Sequence, residues 1–167
     1  MMHILTRLKR HLLTTSGTGR RAFPPATLKA IEATIAAGEV LHRAEVCLII
    51  ESSLTLAEVL QHVSARDRAR QLFALHHIWD TEENCGVLVY VNLADRKVEI
   101  VTDRGVGRQV DSSDWQAICH AMTHGFARDE FHHSVITALQ KINTLLQKHY
   151  PAQGASSNQL DNRPVLL

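Results

Sequence analysis

The spacing of apolar residues predicts a helix, a strand and a broken helix in the first half of the chain. Apolar positions recur every three or four residues over 25–42, which predicts an amphipathic helix. Val46–Ile50 is a continuous apolar run with β-branched residues, as in a strand covered on both faces. Helical spacing returns over 55–79, with a break near Ser64 where a capping box begins. We therefore expect the first strand to be central in a sheet.

A β-hairpin is the clearest pattern in the sequence. Two β-rich runs, Gly86–Asn92 and Lys97–Asp103, are separated by four residues. The second run alternates between apolar and polar positions, so Asp103 closes a strand. We expect the chain to continue into a loop formed by Asp103, Arg104 and Gly105.

Two amphipathic helices and a tail complete the predicted domain. The first helix is capped by Ser112 or Ser113 and runs to Phe126. The second runs from Phe131 to His149 before Pro151. Residues 152–167 predict an extended tail that docks by its last three residues. The order of elements predicts an α/β fold with a small mixed sheet, containing an antiparallel hairpin and flanked by helices.

The N-terminal segment differs in character from this domain. Residues 1–13 place leucines opposite basic residues, which predicts a short amphipathic helix. Such a helix can lie on a membrane or partner surface, or dock on the body of the protein. Residues 14–21 resemble a linker. We therefore divide the chain into an N-terminal segment (1–21), a domain (22–151) and a tail (152–167).

Composition excludes several classes of function. Eighteen Lys and Arg against seventeen Asp and Glu give a net charge of +1, which argues against nucleic acid as a partner. Three cysteines without CxxC spacing favour a reducing compartment. No apolar run is long enough for a transmembrane segment, so a cytoplasmic protein is expected. The eleven histidines raise pH sensing as a weaker alternative.

Catalytic motifs of the common enzyme classes are missing from the sequence. It has no GxSxG, P-loop, GxGxxG or HExxH motif, and Ala121 follows His120 where a zinc protease needs its general base. Asp103 beside Arg104, at a strand end, is the best candidate for a cation or phosphate contact. The alternative is an internal salt bridge that closes the hairpin.

Several motifs in order resemble the TPM domain family. They are Trp79-Asp-Thr-Glu82, Asn84-Cys-Gly-Val-Leu-Val-Tyr-Val91, Val98-Glu-Ile-Val-Thr-Asp-Arg-Gly-Val106 and His149-Tyr-Pro151, with upstream matches at 37–45 and 68–73. The resemblance covers residues 23–151 and implies an α/β sandwich. It is strongest to a short bacterial branch without signal peptide or membrane anchor. Members of that branch are often encoded beside a longer TPM protein and a LemA-type membrane protein.

Two functions are expected. The basic amphipathic start and the absence of a complete catalytic motif favour a non-enzymatic binding or accessory module for a membrane-associated protein complex, and the resemblance implies a LemA-like or longer TPM protein as its partner, with the inner membrane face as a second location. The alternative implied by the resemblance is a metal-dependent acid phosphatase using calcium or magnesium. The resemblance then implies Asp103, Arg104 and Arg68 as catalytic residues and Glu39, Glu45 and Asp103 as metal ligands.

Two departures weaken the second function. Family members anchored in the membrane carry an acidic segment before their first helix, and residues 20–25 are basic and proline-containing here. The family's glycine between the last two helices is replaced within residues 126–131.

Overall fold

The computed structural model describes residues 4–154 and 158–167. The eight helices of this part of the chain are α1 (Ile4–Leu13), α2 (Ser16–Ala22), α3 (Pro25–Glu39), α4 (Leu56–Leu60), α5 (Ala65–Leu75), α6 (Arg104–Gln109), α7 (Ser112–Phe126) and α8 (Phe131–His149). Its four strands are β1 (Glu45–Glu51), β2 (Gly86–Asn92), β3 (Lys97–Thr102) and β4 (Val165–Leu166).

The strands form one mixed sheet in the order β3-β2-β1-β4. β1 runs parallel to β2 and to β4, and β2 pairs antiparallel with β3. The predicted hairpin and the predicted central position of the first strand are both confirmed. Glu45 pairs with Gly86, whose carbonyl oxygen accepts the Asp103 amide at 2.9 Å, so these three residues lie in one row across the sheet.

Helices cover both faces of the sheet, which confirms the predicted α/β class. Val46, Leu48 and Ile50 point into the larger core, which is closed by α3, α7 and α8. Cys47 and Ile49 point into a smaller core beneath α5. Every residue of β1 is buried, which explains the continuous apolar run in its sequence.

The predicted linker at 14–21 is wrong in part, because α2 occupies Ser16–Ala22. Thr15 and Thr18 form a capping box at its start. Gly19 then packs closely on β1's end, since a Cβ there would lie 2.6 Å from the Ser52 hydroxyl. This close packing stabilises a helix that its glycines disfavour. In the described part of the chain, no helix is both long and apolar enough to cross a membrane.

The predicted loop at residues 103–105 is also wrong, because α6 begins at Arg104. Asp103 is the N-cap residue, and its Oδ1 accepts the Arg104 amide at 2.6 Å. The sequence did not predict this helix because it contains Gly105 and Gly107, and glycine is a poor helix former. The Gly105 amide also donates to the Asn84 carbonyl at 3.0 Å, which fixes the helix start against the segment before β2.

The C-terminal tail docks by its last residues, as predicted. The Leu167 amide donates to the Ile50 carbonyl at 2.8 Å, and the Ser52 amide donates to the Leu167 carbonyl at 3.0 Å. Leu166 packs on the larger core and Val165 on the smaller one. The tail therefore completes the sheet at the β1 edge.

We expect Gly86→Ala to destabilise the protein by about 1–3 kcal/mol, because a Cβ at Gly86 would overlap the Ile78 carbonyl oxygen. Gly17→Ala is the control, because its Cβ would find its nearest neighbour at 3.5 Å and alanine favours the helix. Urea unfolding measures both variants. Equal stability of Gly86→Ala and the wild type would contradict this packing.

Candidate functional site

The predicted site residues lie in three separate places. Asp103 and Arg104 stand where β3 meets α6. Glu39 and Glu45 lie together at the amino end of β1. Arg68 lies on α5 and binds Glu51 at the opposite end of β1. The fold therefore pairs some of these residues and does not bring all of them together.

Asp103 is a buried carboxylate with one oxygen in use. Its residue is 8% exposed, and Oδ1 accepts the Arg104 amide. Oδ2 is buried and has no hydrogen-bond partner within the described part of the chain. A buried carboxylate oxygen without a partner is unfavourable unless water or a ligand satisfies it. The neighbouring Arg104 side chain is exposed.

Glu39 and Glu45 form a carboxylate pair that the tail covers. Glu39 Oε1 accepts the Val46 amide at 3.3 Å. The Glu45 carboxylate accepts the amides of Gln159 and Leu160 at 3.2 and 3.1 Å. Burial, together with the nearby Glu45 charge, raises the pKa of Glu39 to about 7. Burial also raises the pKa of Glu45.

A backbone segment separates this pair from Asp103. Asp103 and Glu45 are two strands apart in the sheet, or about 10 Å by strand spacing. Gly86 lies between them, and the Ile78 carbonyl occupies the space above it. Within residues 4–154 and 158–167, no three His, Cys, Asp or Glu side chains are placed to hold a metal ion. The three expected ligands therefore do not fit a shared centre for calcium or magnesium, which need six or more oxygens.

Arg68 belongs to a partly buried ion pair at the other end of the sheet. Its Nε and Nη2 donate to Glu51 at 3.0 and 2.6 Å, and its Nη1 lies 3.1 Å from Glu58. The hydrogen bond to Glu51 raises the pKa of Arg68. Glu51 is six residues along β1 from Glu45, about 20 Å by strand rise. Arg68 is thus remote from both carboxylate groups and fully engaged.

A polar network at the carboxyl ends of β1 and β2 was missed in the sequence. The Tyr90 hydroxyl donates to Glu51 at 2.6 Å, and the Asn92 amide donates to the Tyr90 oxygen at 2.9 Å. Burial, followed by the Glu51 charge, raises the pKa of Tyr90. Two polar residues that end apolar strands, Glu51 and Asn92, are the sequence signal from which this network could have been predicted.

α1 docks beside this network through polar side chains. Arg7 binds Asp95 with two hydrogen bonds, 3.0 Å from Nε and 2.7 Å from Nη2. His11 is buried, with Nδ1 accepting the Leu54 amide at 2.9 Å and Nε2 lying 3.0 Å from Asp95 Oδ1. This arrangement fits the neutral tautomer that is protonated on Nε2. The hydrogen bonds from Arg7 and His11 lower the pKa of Asp95 against the opposing effect of burial.

The polar docking of α1 leaves leucines at the surface. Leu5 and Leu12, seven residues apart on one face of α1, are 66% and 61% exposed. α4 packs against α1, and its Leu56 and Leu60 are 46% and 58% exposed. We call these four residues the leucine surface. Large contiguous apolar patches mark interaction sites, so these exposed leucines on two packed helices are a candidate docking surface.

The comparisons with known proteins concern the domain and its fold. A family model described as the TPM domain matches residues 20–145. The NMR structure of BA42 protein from the psychrophilic bacterium Bizionia argentinensis is similar, with a TM-score of 0.74 and 23% identity over 84% of this chain and 92% of that chain. At that identity the likeness bears on the fold alone. No curated protein matched the sequence.

The raised pKa of Glu39 predicts that the free energy of unfolding decreases as pH rises. The unfolded carboxyl ionises near 4.5 and the folded one near 7, so the folded state holds an extra proton between these values. The contribution of Glu39 is therefore complete below pH 4.5 and lost as pH rises through 7. We expect Glu39→Gln to match the wild type near pH 4 and to exceed its stability at pH 8 by about 1–2 kcal/mol after solvent screening.

Urea unfolding across this pH range measures the effect. Glu32→Gln, on the same helix, is the control for removing one carboxylate from α3. Parallel profiles for Glu39→Gln and the wild type would contradict the prediction.

Proposed function

Because the chain belongs to the TPM domain family, we propose that it works as a non-enzymatic binding module for a membrane-associated protein partner, through the leucine surface of α1 and α4. The observation that carries the proposal is the orientation of α1. Its polar residues Arg7 and His11 face the domain, while Leu5 and Leu12 face outward.

The orientation of α1, with its polar side chains toward the domain and its leucines outward, has a physical cause. Asp95 is a partly buried carboxylate at the β2–β3 turn and needs positive or donor groups. Arg7 and His11 supply them, and their spacing of four residues places both on one side of the helix. The leucines on the opposite side are then left at the surface, and burial against a partner would stabilise them by about 1–2 kcal/mol each.

The charge of α1 suits a partner at a membrane. Lys9 lies on the same exposed face as Leu5 and Leu12, and α1 contains no acidic residue. Basic and apolar residues together favour attachment near an anionic membrane surface. The LemA-like or longer TPM protein implied by the resemblance is the partner to test, with the cytoplasmic side of the inner membrane as the location.

The separation of the predicted catalytic residues favours binding over catalysis. Arg68 is engaged by Glu51 and Glu58, and the Glu45 carboxylate is engaged by tail amides. Neither group is available where Asp103 lies. A reaction needs its groups held within hydrogen-bond reach of one another.

We expect the double variant Leu5→Ser, Leu12→Ser to lose at least about 30-fold in affinity for a detergent-solubilised LemA-type partner, since two leucine contacts contribute about 2–4 kcal/mol. Co-purification and biolayer interferometry measure the loss. These substitutions leave Arg7 and His11 in place, so α1 stays docked.

Leu75→Ser is the matched control, because Leu75 is 67% exposed on α5, away from the leucine surface. It keeps wild-type affinity. Equal affinity of the double variant and the control would contradict the leucine surface as the binding site. Failure of the wild type to bind would contradict the LemA-type protein as the partner.

A phosphatase remains a second candidate because Asp103 Oδ2 is buried without a partner among the described residues. Arg104 is exposed beside it and carries the guanidinium that a phosphate group needs. In this proposal the Arg104 guanidinium binds the phosphate group, and Asp103 supplies a carboxylate oxygen that would ligate Mg²⁺ or Ca²⁺. Glu39, Glu45 and Arg68 take no part, because they lie elsewhere.

The phosphatase proposal predicts that Asp103→Asn loses at least about tenfold in turnover of p-nitrophenyl phosphate. Asparagine also caps helices well, so α6 should persist. The assay is run with and without Mg²⁺ or Ca²⁺, and Arg108→Gln, also on α6, is the control. Equal turnover by Asp103→Asn and the wild type would dismiss the site.

A further inference from the structure

We propose that a cleft at the carboxyl end of β2 binds an amphiphilic organic anion, meaning a carboxylate or phosphate group on an apolar body. The cleft has a volume of about 520 Å³ and lies between the α1–α2 segment, the β2–β3 turn and the α7–α8 corner. Pockets of about 300–1,000 Å³ hold small organic ligands. This inference does not depend on the proposed partner.

Part of the lining of the cleft is apolar and partly aromatic. Phe126 and Phe131 stack with their ring centroids 5.0 Å apart, and Phe23 meets both edge-on from the core. Phe126 and Phe131 are only partly buried and line the cleft together with Leu93 and Leu13. These side chains would gain from covering an aliphatic or aromatic body.

The lining of the cleft also carries positive charge. Arg10 of α1 and Arg96 of the β2–β3 turn line it, against a single acid, Asp129, so the charge of the lining is 2 − 1 = +1. The Arg96 guanidinium makes no hydrogen bond or ion pair within the part of the chain that the structure describes, and its residue is exposed. An available guanidinium binds carboxylate and phosphate oxygens in a planar, bidentate way.

The position of Arg96 is fixed by the backbone of the turn. Its φ is 54°, in the left-handed region, and its amide donates to the Leu93 carbonyl at 3.2 Å. The turn is anchored at its start by Asn92, whose Oδ1 accepts the Asp95 amide at 2.8 Å. Arg96 therefore stands on a fixed turn at the rim while Leu93 faces the interior of the same cleft.

The location agrees with the general placement of ligands in α/β proteins. Asn92, the last residue of β2, lines the cleft, and β2 runs parallel to β1. Ligands in open α/β sheets bind outside the carboxyl ends of the strands. The anion and the apolar body would thus meet complementary groups at a place where the fold leaves room.

Binding of decanoate tests the ligand class. In ¹⁵N-labelled full-length protein, decanoate should bind with a Kd on the order of 1 mM or tighter. Its amide shift changes should centre on Leu93, Arg96 and Phe131. Decanol, which lacks the charge, should bind at least about tenfold more weakly. Equal affinity for decanol, or shift changes centred elsewhere, would overturn the proposal.

Two variants test the residues. Arg96→Gln should weaken decanoate binding about tenfold, whereas Arg108→Gln removes one exposed charge far from the cleft and should keep wild-type affinity. Ala127→Trp should abolish binding by filling the cleft, because Ala127 is an exposed lining residue. Wild-type affinity in Arg96→Gln or in Ala127→Trp, with the fold intact by circular dichroism, would overturn the site.

Sedimentation with lipid vesicles distinguishes a membrane lipid from a free organic acid as the source of the anion. Sedimentation with phosphatidylglycerol vesicles that Arg96→Gln reduces would support a membrane lipid. Decanoate binding without Arg96-dependent sedimentation would support a free organic acid. Neither decanoate binding nor Arg96-dependent sedimentation would overturn the proposal.

Discussion

The burial of β1 on both faces is the constraint on which the rest of the structure depends. Seven consecutive residues lie between two helical layers and two neighbouring strands, so polar groups can occur only at the two ends of the strand. Those ends carry Glu45 and Glu51, and a buried carboxylate requires partners. Much of the chain outside the sheet is arranged to supply them, and the candidate sites are consequences of that arrangement.

The carboxylates at the two ends of β1 have different kinds of partner. At the carboxyl end, Glu51 pairs with the Arg68 guanidinium, and the Tyr90 hydroxyl is a further donor. At the amino end no cation pairs with Glu45 among the described residues. Its oxygens instead accept backbone amides of the tail, while the raised pKa of Glu39 reduces the charge of the pair. One end therefore uses charge pairing, and the other uses backbone donors and proton uptake.

The sequence predicted the parts of the fold that local patterns encode, namely the central strand, the hairpin and the long helices α3, α7 and α8. It failed for α2 and α6, because both are short, contain two glycines and are stabilised by packing on distant residues. The candidate site was less predictable for the same reason. Asp103, Glu45 and Arg68 are all placed by sheet register and helix packing, so their sequence motifs gave no distances between them.

The segments outside the matched family domain complete the domain's buried polar groups. Arg7 and His11 from α1 satisfy Asp95, and the amides of Gln159 and Leu160 satisfy Glu45, although all four lie outside residues 20–145. The same segments carry surfaces that the domain alone would lack, including Leu5 and Leu12 on α1. The surface from which we propose a function therefore lies in a segment outside the matched domain, and a fold by itself does not specify such a surface.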